Sequence, residues 1–156
     1  MTDQPTMPEV VNTEPETIAV LRETVPMNAL PEFFARAYQT VERVVREEGL
    51  QPVGPAYAVY YGTPGDTVDV AAGFPAAATF VPRDGVHQVT IPGGRAVRLL
   101  HLGSYDGLAA AYDRLMVWIR GAEVGELADY MLEKYLTLPG TDPDATATLI
   151  VWPIQE

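Results

Sequence analysis

The chain has 156 residues, 47 % of them hydrophobic, and its 21 acidic and 10 basic side chains give a net charge of −11. That length suits one domain with a buried core, and the composition excludes disorder as the main state. The acid excess argues against nucleic acid or an anionic membrane as a direct partner, since both need a cationic face. The absence of cysteine removes disulfides, thiolate metal sites and cysteine catalysis.

Residues 1–16 carry four acids, no base and three prolines, and read as a disordered acidic leader. Nothing in that segment resembles a signal peptide, and no apolar run reaches the roughly 18 residues that span a bilayer. The expectation is a soluble, cytoplasmic protein. Residues 17–25 read as a strand closed by Pro26. Over 29–48, Leu30, Phe33, Phe34, Ala37, Val41, Val44 and Val45 recur at spacings of three and four, which predicts a helix. Asn28 is its expected N-cap, with Pro31 in the first turn and Gly49 just past the end. Strands follow at 56–62 and 67–74, joined by the turn Thr63–Asp66.

The order then repeats. A strand at 95–102 leads through Gly103–Gly107 into a helix at 108–120, ended by Gly121 or Gly125. Strands at 129–137 and 146–152 follow, with a loop over 138–143 between them. Matching residues support a duplication: Ala37-Tyr38 and Ala111-Tyr112 at an offset of 74, Tyr60 and Tyr135 at 75, Phe74-Pro75 and Trp152-Pro153 at 78. The predicted fold is α+β, a tandem strand-helix-strand-strand module with antiparallel sheet, two main helices and a central cleft. The domain spans 17–156, in repeats of about 17–80 and 86–155.

Glu133 is the most informative single residue. Strand alternation puts it on one face with Met131 and Tyr135. A carboxylate among aromatics would bind a lipophilic cation by charge pairing and cation–π attraction. The alternative is a Glu on the wet face of an edge strand. Tyr57, Tyr60 and Tyr61 must split between two faces, and helix-borne Tyr38, Tyr112 and Trp118 read as core. His101 reads as packed or at the surface, and Asp66, Asp69, Asp142 and Asp144 as turn residues. No nucleophile elbow, phosphate loop or metal-ligand pattern is present, so no cofactor and no metal is expected.

The stretch Ile91-Pro92, Ala96-Val97, His101-Leu102-Gly103-Ser104-Tyr105, Glu133-Lys134-Tyr135-Leu136 and Trp152-Pro153-Ile154 resembles the GyrI-like small-molecule-binding domain. That domain is also the effector-binding module of AraC-type and MerR-type regulators. Gly54-Pro55, Tyr60-Tyr61 and Val68–Pro75 resemble its first repeat, so the likeness covers about residues 17–155. The resemblance implies a stand-alone binder of amphipathic, aromatic or cationic small molecules, with Glu133 in the cleft and Tyr60, Tyr135, Tyr105, Trp118 and Phe74 around it. It implies two further roles: a hydrolase opening cyclopropane-containing natural products with Glu133 as its catalytic residue, or a protein partner such as DNA gyrase. It says nothing of the oligomeric state.

Overall fold

A computed structural model describes residues 6–76, 78–137 and 141–155. Eight antiparallel strands form one sheet: β1 (Glu9–Thr13), β2 (Glu16–Pro26), β3 (Ala56–Tyr61), β4 (Thr67–Pro75), β5 (Val86–Ile91), β6 (Gly94–Leu102), β7 (Tyr130–Tyr135) and β8 (Ala147–Pro153). Two long helices accompany it, α1 (Leu30–Glu47) and α2 (Leu108–Ala122). Among the described residues, no helix is long and apolar enough to cross a membrane.

The sheet runs β1-β6-β8-β7-β3-β4-β2-β5, and its registers reproduce the offsets read from the sequence. On β3 and β7, Ala56 faces Tyr135 while Tyr60 faces Met131, pairs exchanged by a shift of 75. On the outer strands, Ile18 faces Pro75 as Ala96 faces Pro153, a shift of 78. The two strand-helix-strand-strand modules are therefore related by a pseudo-two-fold axis. It passes between Ala58 and Glu133, which face each other at the middle of the sheet.

Two strands depart from the sequence reading. Residues 9–13 of the expected leader form β1, paired to β6 with Glu9 opposite Arg98, while residues 1–5 lie outside the described residues. Val10 and Val11 supply β propensity, and the Glu9–Arg98 ion pair offsets part of the local acid excess. Strand β5, unread in the sequence, pairs with β2. Each leading strand thus borders the other module's outer strand, β1 on β6 and β5 on β2, and ties the halves together.

The helix ends also differ in detail. Asn28 lies in a short 3₁₀ turn (Met27–Ala29) and Ala29 takes the cap position of α1 with no side-chain bond. Glu123, at φ 52°, closes α2 in place of a glycine. Gly49 ends α1 at φ 78° as expected. Asp69 lies within β4, where its carboxylate takes two bonds from Arg22 at 2.8 and 2.9 Å. Residues 138–140 of the expected loop lie outside the described residues.

The helices cover one face of the sheet. Phe33, Ala37, Val41, Val44 and Val45 of α1 pack on β2 and β4, and Ala111, Leu115 and Ile119 of α2 on β6 and β8. The other face curls on itself, so that Ile18, Val20, Val59, Ala71, Leu132 and Val151, drawn from both halves, form one cluster. At the edge of that cluster Glu16 accepts a bond from the Tyr57 hydroxyl and pairs with Lys134 at 3.0 Å, the Lys134 ammonium resting 5.0 Å from the centre of the Tyr57 ring. Glu16→Ala leaves the buried Tyr57 hydroxyl and the largely buried Lys134 ammonium unpaired. Its expected cost is about 1–2 kcal/mol in urea unfolding. Lys134→Met should cost less, since it removes the charge and keeps the packing.

Candidate functional site

Because each helix covers its own module's outer strands, the central strands β3 and β7 are left bare between the helices. Side chains at alternate positions rise into this gap: Ala56, Ala58 and Tyr60 from β3, and Met131, Glu133 and Tyr135 from β7. Each helix presents a second stripe, one residue from its buried one, as a wall: Phe34 and Tyr38 on α1, Leu108, Tyr112 and Met116 on α2. Alanine at 58 leaves open the space opposite Glu133.

Glu133 is 4 % exposed, and β7 is a central strand. The wet-edge reading is thereby excluded. Tyr112 donates to its Oε2, Tyr135 to its Oε1 at 2.5 Å, and Tyr60 approaches Oε1 at 3.5 Å. Burial first, and then the Glu133 charge, push the phenols of Tyr60, Tyr112 and Tyr135 above their ordinary value. They stay protonated and serve as donors, which suits an acceptor-only carboxylate. Among the described residues no Lys, Arg or His forms an ion pair with Glu133.

Two chambers open from this floor, and Tyr60 and Glu133 line both. The larger, about 960 Å³, is aromatic. Its rings form a continuous series: Phe74 lies 5.4 Å from Tyr38, Tyr38 stacks on Phe34 at 5.8 Å, Phe34 meets Tyr135 edge-on at 6.5 Å, and Tyr105 meets Tyr135 at 6.0 Å. Tyr105, 53 % exposed, stands at the mouth. The smaller chamber, about 550 Å³, is bounded by Met27, Leu30, Met116, Met131, Trp152 and Tyr112.

The structure thus brings Glu133, Tyr60, Tyr135, Tyr105 and Phe74 to one cleft. Trp118 does not join them. It packs against the second module's core and lines neither chamber, because two residues along a helix turn its side chain about 200° from that of Met116. Tyr38 and Tyr112, read as core, are cleft walls. Trp152 was also missed as a lining residue, though its offset of 78 from Phe74 carries the signal. His101 is buried, its Nε2 2.7 Å from the Ser104 carbonyl oxygen. Among the described residues no three His, Cys, Asp or Glu gather as metal ligands.

Comparison with known proteins agrees with this architecture. The family described as the GyrI-like small molecule binding domain matches residues 6–155. Among solved structures, the EcmrR C-terminal domain superposes with a TM-score of 0.80 at 21 % identity, covering 97 % of this chain and 98 % of that one. SAV2435 bound to tetraphenylphosphonium superposes at 0.71 with 10 % identity, covering 95 % and 93 %. A hydrolase from Listeria innocua superposes at 0.63 with 11 % identity, covering 98 % and 94 %. At such identities these likenesses establish the fold. A search of curated proteins returns no match.

Proposed function

The chain belongs to the family of GyrI-like small molecule binding domains, and from that premise we propose that it captures an amphipathic, aromatic cation over Glu133 in the aromatic chamber. One observation carries this reading: a buried carboxylate, held by phenol donors and in no ion pair among the described residues, at the base of a ring-lined cavity. A buried charge is costly to leave uncompensated, so an arriving cation supplies what the protein lacks. The faces of Tyr38, Phe34 and Phe74 add cation–π attraction, worth about 2 kcal/mol where water is excluded. The cavity lies within the ~300–1,000 Å³ usual for small-molecule pockets. Such a binder would serve in sensing or sequestering its ligand.

Titration with tetraphenylphosphonium by calorimetry tests the reading. The wild type should bind it at one site. Tyr38→Leu keeps apolar bulk and removes the ring face, and should weaken binding about 5–30-fold, the equivalent of ~1–2 kcal/mol. An unchanged affinity removes the cation–π component.

A further inference from the structure

The two chambers occupy equivalent places about the pseudo-two-fold axis, yet their walls differ in chemistry. Tyr38 of the aromatic chamber corresponds to Tyr112 of the smaller one, Phe74 to Trp152, Ala56 to Met131 and Glu42 to Met116. The duplication has thus kept rings at two of these positions in both chambers, and has put thioethers in the smaller one where the larger has Ala56 and Glu42. The chain has five methionines, and three of them, Met27, Met116 and Met131, line the smaller chamber. Thioether side chains are unbranched and polarisable, and they reshape around apolar guests of different outline. Charge on this side is sparse. From this chamber's wall Tyr112 donates to Glu133 Oε2, and the shared Tyr60 approaches Oε1. The other acid, Asp129, is exposed at the rim, where water and salt screen it. One carboxylate neutralises one cation, so a second cation here would compete with the first. An uncharged guest would not.

We propose that the methionine-lined chamber is a second ligand subsite, which takes an uncharged apolar aromatic molecule alongside a cation in the aromatic chamber. The proposal rests on the reading that the cation occupies the aromatic side. Its volume of about 550 Å³ admits a molecule of two or three rings. Trp152 forms one wall, its indole nitrogen fixed by a bond to the Ala128 carbonyl at 3.1 Å, and so reports on occupancy.

The chain has two tryptophans, so Trp118→Phe leaves Trp152 as the sole indole, excited selectively over the tyrosines at the red edge. This protein is titrated with neutral N-phenyl-1-naphthylamine, alone and with saturating tetraphenylphosphonium. The naphthylamine should quench Trp152 and saturate, with affinities in the two titrations within about 2-fold of each other. Met27→Phe, at the exposed rim, and Met116→Phe, on the α2 wall, each narrow the chamber. Both should weaken naphthylamine binding at least 10-fold and leave tetraphenylphosphonium binding within about 2-fold. Displacement of the naphthylamine by tetraphenylphosphonium, or an affinity unmoved by both narrowing variants, overturns the second subsite. A protein that quenches with the naphthylamine and takes up no tetraphenylphosphonium overturns the cation reading instead.

Discussion

Glu133→Gln should lower the affinity for tetraphenylphosphonium by about 100-fold and raise that for tetraphenylborate, its anionic isostere. The two probes share shape, area and ring count, so their hydrophobic and dispersion contributions nearly cancel in the comparison. What separates them is the sign of the central charge. In the wild type the buried carboxylate attracts one and repels the other across a cavity from which much of the water is displaced. Removing one partner of a buried pair costs about 3–5 kcal/mol, and ~3 kcal/mol is roughly 100-fold. Glutamine keeps the volume and one carbonyl acceptor, so the tyrosine shell retains most of its bonds and the cavity its outline. Calorimetric titration of both probes against both proteins completes the test. An equal loss for the two probes would mean a distorted pocket; unchanged tetraphenylphosphonium affinity would mean that Glu133 is not the counter-charge.

The repeat made the fold legible. Two copies of a strand-helix-strand-strand pattern, with offsets of 74, 75 and 78, reappear in the helices, the central pair and the outer strands. Strands β1 and β5 escaped because their burial is set by pairing across the modules. A short strand whose partner lies in the other half carries little periodic signal of its own. Glu133 was legible because alternation fixes its face once β7 is placed. Tyr38 and Tyr112 were misread for a related reason: helical periodicity identifies an apolar stripe, and it does not say whether the stripe meets a sheet or a gap. That depends on how far apart two helices sit, a property of both modules together. Trp118 goes the other way: its place on the helix stripe reads as core and it packs against the core, while the family resemblance, which puts it around the cleft, does not hold at this position.

The acid count divides in the same way. Glu9, Glu23, Glu42, Glu47, Asp69 and Asp84 meet arginines at the surface, where each pair contributes about 0–1 kcal/mol. The net charge therefore describes the shell, while the proposed chemistry depends on the one carboxylate at the middle of the sheet.

Gly73→Ala should cost more than 3 kcal/mol, or prevent folding, although alanine is ordinarily a mild replacement. Gly73 lies in β4 between Val20 of β2 and Tyr57 of β3, on the face that curls inward. A Cβ at this position would overlap the Ala19 carbonyl oxygen and stand 2.8 Å from the Ala19 carbonyl carbon and 2.9 Å from the Val20 Cα. All three are backbone atoms of the neighbouring strand, so no rotamer change relieves the contact. Relief requires β2 and β4 to separate where they are paired, and overpacking of this kind exceeds the usual ~1–3 kcal/mol. Gly73 is not among the positive-φ glycines, so the cost is one of approach and not of torsion. Gly65→Ala is the control: its Cβ would meet nothing within 4 Å, and its effect should stay within about 0.5 kcal/mol. Urea unfolding of the two variants compares them. The next residue, Phe74, is a ring of the aromatic chamber. If Gly73→Ala folds at all, the displaced β4 should carry Phe74 with it and weaken tetraphenylphosphonium binding, whereas Gly65→Ala should bind as the wild type does. A stable Gly73→Ala protein with unchanged affinity would mean that β2 and β4 do not approach as closely as the curl of the sheet requires.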